Sequence, residues 1–273
     1  MNYNQWLTSN TTLLKNSGIE SARLDCILLL LDQIDKPKEW VLAHGDTEIT
    51  KSDQQILSAK ISQRQQRTPL AYIRNTQEFY GRKFYINHDV LIPRPESEDI
   101  ITLLKAIPKD PITTVIDIGT GSGVLAITAK LEIPSLSVIA TDISESALLV
   151  ARKNARTYGV DIEFITSDLL KTLAPTAYNL KPTLLIANLP YVPSQLITSP
   201  EITHEPRIAL FSGSDGMDLY RRFWKQLAAM GCKPHSVITE SLEEQHTVMR
   251  DCALQAGYTL ESATTLVQQF TLS

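Results

Sequence analysis

Apolar residues in the first 74 positions recur at the spacing of amphipathic helices. The clearest set is Leu24, Ile27, Leu28 and Leu31. Thr50 followed by Asp53 has the form of a capping box, so another helix is predicted to begin there. No residue in this stretch suggests chemistry. Residues 1–74 are therefore predicted to form a small helical bundle domain that recognises or positions a substrate.

Residues 75–95 break this pattern. Apolar and aromatic residues flank Gly81, which predicts a β-hairpin. The next segment is Leu91-Ile92-Pro93-Arg94-Pro95-Glu96-Ser97-Glu98. Its two prolines stiffen the backbone around Arg94, and Ser97 is placed to cap the helix that follows. Two interpretations stay open: a rigid linker between domains, or a segment that closes over an active site and holds Arg94 there.

Residues 96–273 alternate apolar strands with amphipathic helices, beginning near Thr113. Strands are predicted at 115–118, 138–140, 162–165, 184–187 and 237–239. This alternation predicts a parallel, doubly wound α/β sheet. Residues 257–267 contain two strand-like runs with no helix between them, which predicts an antiparallel hairpin at the end of the sheet.

Composition narrows the class of protein. The chain of 273 residues is 43% hydrophobic and 21% charged, as globular proteins are, and its net charge of −4 argues against a protein that coats nucleic acid. No apolar run before residue 100 is long enough to span a membrane, and no signal-peptide pattern opens the chain, so we expect a cytoplasmic protein. Cys26, Cys232 and Cys252 lack metal-ligand spacing, so we expect reduced thiols and no metal.

The charge is distributed unevenly. Residues 60–94 contain seven basic residues against two acidic ones. Two interpretations stay open here as well: a solvated helix face, or a docking surface for a macromolecule.

A glycine-rich turn lies where the first predicted strand meets its helix. Its sequence is Asp117-Ile118-Gly119-Thr120-Gly121-Ser122-Gly123. Glycines at such a turn let the backbone approach a ligand with no Cβ in the way. Asp142 follows at the end of the next strand, where an acid in this architecture accepts from both hydroxyls of a ribose. A cofactor that contains a nucleoside is implied.

The choice of cofactor depends on spacing. Val124 occupies the position of the third glycine in the dinucleotide fingerprint, and the chain has no Gly-Lys-Ser/Thr phosphate loop. Asp117 would suit an ammonium group, and Ser167-Asp168 after the third strand could accept from an adenine amine. These side chains suit a ligand that combines an amino acid, a ribose and an adenine without phosphate, which favours S-adenosyl-L-methionine.

The turn Asn188-Leu189-Pro190-Tyr191 follows the apolar strand at 184–187. Pro190 holds Leu189 in extended geometry, which fixes the direction of the Leu189 carbonyl. That carbonyl and Asn188 Oδ1 could accept both hydrogens of an incoming NH2 group, while Tyr191 offers a flat face. The turn therefore predicts a pocket for an amino or amide nitrogen.

Over nearly its whole length the chain resembles the HemK/PrmC family of protein-(glutamine N5) methyltransferases, which act on peptide chain release factors. The motifs that carry the resemblance, besides the glycine-rich turn and the Asn188 turn, are Arg67-Thr68-Pro69-Leu70-Ala71-Tyr72-Ile73, Glu78-Phe79, Leu91-Ile92-Pro93-Arg94-Pro95-Glu96, Glu205-Pro206-Arg207-Ile208-Ala209-Leu210 and Asp215-Gly216-Met217-Asp218-Leu219-Tyr220-Arg221. The proline-arginine-proline segment after a helical domain is the most specific of them.

The resemblance implies a Rossmann-like class I methyltransferase domain with a mostly parallel seven-stranded sheet. It implies cofactor contacts from the glycine-rich turn, Asp142 and Asn188, with Asp168 and Leu169 at the adenine, and a glutamine held by residues 188–191. The chain differs from the family at three positions: it has Leu189 where the family usually has proline, Leu169 where the family has an aromatic residue, and Asn75 where the family has glycine. The Asn-Leu-Pro-Tyr form is also typical of rRNA adenine dimethyltransferases.

Methyl transfer from a sulfonium to a side-chain amide nitrogen is the function that these observations favour, with a release factor as partner. We expect a monomer without a membrane or stable nucleic-acid partner. Two alternatives stay open: an adenine N6-methyltransferase acting on a flipped base in nucleic acid, and a non-catalytic protein that binds the cofactor.

Overall fold

A computed structural model describes residues 1–107, 114–173, 183–196 and 199–273, and for Thr183 the backbone only. The chain forms two compact units. The helical unit comprises Met1–Asn75 and Ser199–His204, and the sheet unit comprises Thr76–Thr198 and Glu205–Ser273. The predicted strand start near Thr113 lies outside the described residues.

Five helices make up most of the helical unit. They are α1 (Tyr3–Asn16), α2 (Ala22–Ile34), α3 (Lys38–Ala43), α4 (Lys51–Gln65) and α5 (Leu70–Arg74). The predicted helix start at Thr50 is confirmed, because the Thr50 hydroxyl accepts the Asp53 N–H at 3.1 Å. Trp6, Leu29 and Leu57 lie in the apolar core of this unit. Across the described ranges, no helix is both long and apolar enough to cross a membrane.

A short segment from late in the sequence completes the helical unit. It forms a 3₁₀ helix, Pro200–His204, whose Glu201 pairs with Arg64 at 3.1 Å and with Arg67 at 3.2 Å. Arg64 also pairs with Asp25 at 2.7 Å, and both side chains of that pair are buried. A buried charge needs a partner, so Asp25 and Glu201 together account for the burial of Arg64.

The sheet unit opens with the predicted hairpin, formed by β1 (Thr76–Phe79) and β2 (Arg82–Tyr85) in antiparallel register. A 3₁₀ turn at Pro95–Ser97 then runs directly into α6 (Glu98–Ala106). The expectation that Ser97 caps α6 with its side chain is wrong. Ser97 already has helical backbone angles (φ −67°, ψ −11°), and its Oγ accepts a hydrogen bond from Asn188 Nδ2 instead.

Within the described ranges, seven strands form one sheet. They are β3 (Thr114–Ile118), β4 (Ser137–Asp142), β5 (Glu163–Thr166), β6 (Thr183–Ala187), β7 (Ser236–Glu240), β8 (Tyr258–Ala263) and β9 (Val267–Leu272). The spatial order is β5-β4-β3-β6-β7-β9-β8, with β9 antiparallel to β7 and to β8 and the other neighbours parallel. The predicted α/β class, the parallel sheet and the closing hairpin are confirmed.

Helices cover both faces of the sheet. They are α6, α7 (Val124–Glu132), α8 (Glu145–Tyr158), α9 (Asp218–Ala228) and α10 (His246–Gln255). Successive residues of β3 point to opposite faces, so Val115 joins one apolar cluster with α6 and α7, while Ile116 joins a second cluster with α9 and α10. Burial on both faces explains why the central parallel strands are mostly apolar runs.

Candidate active site

A cavity of about 500 Å³ lies in the sheet unit, beyond the carboxyl ends of the parallel strands. Its lining includes the residues at or just after the ends of four strands: Gly119 and Gly121 after β3, Asp142 at the end of β4, Asp168 and Leu169 after β5, and Asn188, Leu189 and Pro190 after β6. Ligands of open α/β sheets bind at this edge, where the strand order reverses around the first strand. Here that strand is β3, which lies between β4 and β6.

The glycine-rich turn keeps its backbone open towards the cavity. Gly119, Gly121 and Gly123 all have positive φ, between 55° and 82°. A Cβ added to Gly121 would meet no atom within 4 Å, so the backbone there faces open space, whereas a Cβ on Gly123 would lie 3.0 Å from Ala151 on α8. Gly121 therefore leaves room for a ligand, and Gly123 permits close packing between two helices.

Asp117 lies behind that turn and is not among the residues that line the cavity. Its Oδ2 accepts the Thr120 hydroxyl at 2.6 Å and the Ala126 N–H at 3.2 Å. Its Oδ1 is buried and has no hydrogen-bond partner among the described residues. Burial raises the pKa of Asp117 to about 7, against the two hydrogen bonds to Oδ2, which lower it. Oδ1 is thus an unused acceptor beside the candidate cofactor site.

Asp142 ends β4 and faces the cavity. Its two oxygens accept the N–H of Gly121 and the N–H of Ser144, each at 2.9 Å. Burial raises the pKa of this carboxyl, and the backbone N–H donors oppose the rise. The carboxylate therefore ties the glycine-rich turn to the start of α8, and it keeps acceptor capacity for a ligand.

Asp168 and Leu169 follow β5 at the far end of the cavity. Lys171 at 2.6 Å and Arg222 at 2.8 Å pair with Asp168 and lower the pKa of its carboxyl. Leu169 is buried and has a positive φ of 57°. Thr120 and Ser122, predicted from the same glycine-rich turn, are buried and do not line the cavity. The Thr120 hydroxyl is used by Asp117, and the Ser122 carbonyl accepts from Asn154 at 2.9 Å.

Asn188 presents its carbonyl oxygen towards the cavity. Its Nδ2 donates to Ser97 Oγ at 3.0 Å and to Glu240 Oε2 at 3.1 Å, which uses both amide hydrogens. Oδ1 therefore points away from Ser97 and Glu240, and no described residue donates a hydrogen bond to it. The hydrogen-bond pattern assigns this orientation, because the reverse would put Oδ1 against a carboxylate.

Tyr191 lies behind the other residues of its turn. Asn188, Leu189 and Pro190 line the cavity, whereas Tyr191 is not among the lining residues. Its hydroxyl donates to Glu240 Oε1 at 2.8 Å, and burial raises its pKa. The expected flat face towards a substrate is therefore not part of the cavity wall in this structure.

Three residues outside the predicted set hold this turn in place. Tyr220 on α9 accepts the Leu189 N–H at 3.2 Å, and Gln245 donates to the Tyr191 carbonyl at 2.8 Å. Glu240 accepts from the side chains of both Asn188 and Tyr191. The sequence carried a signal for Glu240 alone, since it is an acid at the end of an apolar strand, as Asp142 is.

The proline-rich segment contributes to the cavity through its apolar residues. Val90 and Leu91 line it, whereas the Arg94 guanidinium donates to Glu205 at 2.6 Å. The buried Glu205 carboxylate also accepts the Ile92 N–H at 3.0 Å. Arg94 therefore fixes this segment to the chain that follows residue 204.

Two family models match the chain: the PrmC N-terminal domain over residues 5–74 and the Methyltransferase small domain over residues 100–205. Among curated relatives, the release factor glutamine methyltransferase of Enterococcus faecalis is 36% identical over 224 residues, which is 81% of this chain and 78% of the relative. The protein of the same name from Staphylococcus aureus is 36% identical over 247 residues, 88% of this chain and 86% of the relative.

Solved structures share the fold at low identity. The hMettl16 catalytic domain in complex with a 3′UTR hairpin aligns with a TM-score of 0.53 at 12% identity, over 80% of this chain and 81% of the other. A T. thermophilus 16S rRNA methyltransferase in complex with AdoMet and guanosine aligns with a TM-score of 0.51 at 13% identity, over 72% of this chain and 49% of the other. The sequence relatives are far more similar and cover most of both chains, so the chain belongs to the release factor glutamine methyltransferase family.

Proposed function

We propose that this protein transfers a methyl group from S-adenosyl-L-methionine to the side-chain amide nitrogen (N5) of the glutamine in the Gly-Gly-Gln loop of a peptide chain release factor. The observation that carries the proposal is the orientation of Asn188, whose two amide hydrogens are used inside the protein. Only an acceptor, Oδ1, is left for the cavity, and a primary amide offers the matching pair of donors. The names of the curated relatives support the choice of substrate.

The residues that line the cavity, together with Asp117 behind the glycine-rich turn, suit the cofactor. Asp142 would accept from the ribose hydroxyls, the open backbone at Gly121 would lie against the cofactor, and Asp117 Oδ1 is a buried acceptor without a partner that an ammonium group would satisfy. Leu169 and Asp168 would contact the adenine. Bound S-adenosylmethionine supplies a methyl group on a sulfonium, which is a strong electrophile.

The protein contributes chiefly position and hydrogen-bond acceptors. The lone pair of an amide nitrogen is delocalised into its carbonyl, which makes that nitrogen a poor nucleophile. Asn188 Oδ1 and the Leu189 carbonyl would each accept one N–H of the glutamine and favour a pyramidal nitrogen whose lone pair points at the methyl. The product loses its extra proton to water afterwards, so no strong base is required.

Substrate docking would involve the whole release factor. A single glutamine side chain offers little surface, so contacts away from the cavity must supply binding energy that appears in the rate of transfer. Glycines beside the glutamine fit a narrow cavity because they bring no Cβ. Release factors act on ribosomes, so we place the reaction in the cytoplasm, with the protein acting as a monomer.

Incubation with radiolabelled cofactor tests the proposal, with four acceptors compared under identical conditions. They are a full-length release factor, the same factor with the loop glutamine changed to glutamate, an isolated loop peptide, and adenine-containing RNA. We expect strong label on the unchanged factor, weak label on the peptide, and none on the glutamate variant or the RNA. Label on RNA only would replace this function by the adenine methyltransferase, and equal labelling of peptide and factor would reject the docking contribution.

A further inference from the structure

Glu240 is a buried carboxylate beside the candidate site that the mechanism above does not use. It ends β7 and is 1% exposed. Its Oε2 accepts from Asn188 Nδ2 at 3.1 Å and its Oε1 accepts from the Tyr191 hydroxyl at 2.8 Å. Within the described part of the chain, no lysine, arginine or histidine forms an ion pair with it.

Such a group is costly for the fold. Moving a carboxylate out of water without a cation is unfavourable, and hydrogen bonds from neutral donors recover only part of that cost. A glutamine could fill the same space without a charge. Because acids with perturbed pKa values collect at functional sites, a buried acid at this position points to a role at Asn188.

Geometry restricts what that role can be. The Asn188 amide would fill the same volume if it were rotated by half a turn, which would exchange Nδ2 and Oδ1. Glu240 also accepts a hydrogen bond from the Ser97 hydroxyl, which has a single hydrogen, so beside the carboxylate the Ser97 oxygen is left only to accept from Asn188. An ionised carboxylate only accepts, so Glu240 would repel Oδ1 in the rotated amide. Glu240 therefore selects, directly and through Ser97, the orientation that leaves an acceptor for the cavity.

We propose that Glu240 is a positioning residue for methyl transfer: it holds the Asn188 amide with Oδ1 towards the substrate and polarises that oxygen through the shared hydrogen bond. The proposal rests on the proposed function. A hydrogen bond from Nδ2 to a carboxylate draws electron density towards Oδ1, which makes it a better acceptor. The buried negative charge also favours the substrate nitrogen as it gains positive charge.

The charged state of Glu240 matters for this role. Burial raises its pKa, whereas hydrogen bonds from Ser97, Tyr191 and Asn188 lower it, and the charge of Glu96 raises it further. A protonated Glu240 could donate to Oδ1 and would accept either orientation of Asn188. Orientation should therefore be lost when Glu240 is neutral.

The test combines a spectroscopic signal with kinetics, using the full chain. The side-chain NH2 signal of Asn188 is assigned in the ¹⁵N spectrum of the wild type as the signal that Asn188→Ala lacks. Glu240→Gln removes the charge at nearly constant volume. Thr239→Val is the matched control, since Thr239 is buried on the same strand and its hydroxyl has no partner among the described residues. Ser97→Ala keeps the carboxylate and removes the other contact.

We expect Glu240→Gln to shift the Asn188 signal and speed its hydrogen exchange, and to lower kcat about 10²-fold with little change in KM. Thr239→Val should change neither, and Ser97→Ala should keep the Asn188 signal close to that of the wild type. An unchanged Asn188 signal in a folded Glu240→Gln protein, or an equal effect of Thr239→Val, would overturn the proposal. The NMR arms need no substrate, so they decide the role of Glu240 even if the wild type leaves release factors unmethylated.

Discussion

The phenol oxygen of Tyr220 accepts the N–H of Leu189 at 3.2 Å, so a side chain of α9 fixes the backbone of the turn at residues 188–191. Its one hydroxyl hydrogen lies between the Ala187 carbonyl at 2.7 Å and the Glu240 carbonyl at 2.6 Å. These carbonyls end two neighbouring strands. Tyr220 therefore joins the ends of β6 and β7, from which the side chains of Asn188 and Glu240 project.

Replacing Tyr220 with phenylalanine should destabilise the protein and slow the reaction. The substitution removes only the hydroxyl of the fully buried Tyr220, which leaves several backbone groups without a partner. Each group that finds no new partner costs about 1–3 kcal/mol of stability. Urea unfolding and kcat are the measurements. Tyr158→Phe is the control, because the Tyr158 hydroxyl makes one exposed bond to the Lys83 carbonyl. A Tyr220→Phe protein as stable as that control would contradict the prediction.

Gly216→Ala should displace the turn at residues 188–191 through a steric clash with its last residue, Tyr191. A Cβ there would lie 2.0 Å from the Tyr191 carbonyl oxygen, which is far inside contact distance. Gly81 has a similar φ, +70° against +81°, but a Cβ on it would meet nothing within 4 Å. Gly81→Ala therefore measures the backbone strain alone, roughly 1–2 kcal/mol. We expect Gly216→Ala to lose more stability and most activity, and equal effects of the two changes would argue against a steric cause.

Strand patterns predicted the sheet because its central parallel strands are buried on both faces and so appear as apolar runs. The last strand was harder to place. The predicted hairpin spanned residues 257–267, whereas β9 extends from Val267 to Leu272. Gln268 and Gln269 are buried in β9, and the Gln269 side chain bonds to Ser262 and Glu261. Hydrogen bonds to the neighbouring strand permit the polar Gln269 in β9, which an apolar pattern does not reveal.

Acids outside residues 60–94 compensate much of the positive charge of that segment. The net positive charge of residues 60–94 suggested a solvated face or a docking surface. In the structure, most of these basic residues pair with acids of their own unit. The pairs are Arg64 with Asp25 and Glu201, Arg67 with Glu201, Arg74 with Asp32, Arg82 with Glu132, and Arg94 with Glu205. The acids are distant in sequence, so composition within a segment could not show the compensation.

The candidate site was predictable where a polar residue follows an apolar strand. Asp142 and Asn188 meet this condition, and the structure brings them to one cavity. The partners of Asn188 were not predictable, because Ser97 lies 91 positions away and Glu240 lies 52 positions away. Only the packing of β6 against β7 and of the 3₁₀ turn before α6 brings these groups together.

Asn188→Ala should keep its fold and lose most turnover. The change removes the acceptor that is needed chiefly as the glutamine nitrogen becomes pyramidal, and one preorganised group of this kind is typically worth about 10²–10³ in rate. Circular dichroism checks the fold, and kcat on an intact release factor is the measurement. A folded variant with kcat near that of the wild type would reject the role of Asn188.

Asp142→Ala should weaken binding of S-adenosylmethionine and S-adenosylhomocysteine. Loss of two charge-assisted hydrogen bonds to the ribose costs roughly 2–4 kcal/mol, or about 30-fold to 10³-fold in affinity. Calorimetry measures the change. Glu145→Ala is the control, since Glu145 is close in sequence, accepts from Thr166 and does not line the cavity. Equal affinities of the two variants, or tighter binding of NAD by the wild type, would reject the cofactor assignment.

Asp117 should make the stability of the free protein fall as the pH rises. Its pKa is about 7 when folded, against 3.8 as the ordinary value. Between these values the folded chain holds a proton that the unfolded chain has lost, so the free energy of unfolding decreases with rising pH and levels off above the folded pKa. Asp117→Asn should remove this pH dependence, because asparagine does not titrate. The fold should be kept, since the asparagine oxygen can still accept from Thr120 and Ala126. The Tm of both proteins across this range measures the difference.

The same group should couple cofactor binding to proton release. An ammonium group beside Oδ1 favours the ionised carboxylate, so the affinity for S-adenosylmethionine should rise with pH up to the folded pKa of about 7. Calorimetry in buffers of different ionisation enthalpy counts the protons released. Asp117→Asn should bind more weakly, with an affinity that no longer follows this titration. If the wild type and Asp117→Asn show the same pH dependence of affinity, Asp117 is not the ammonium acceptor.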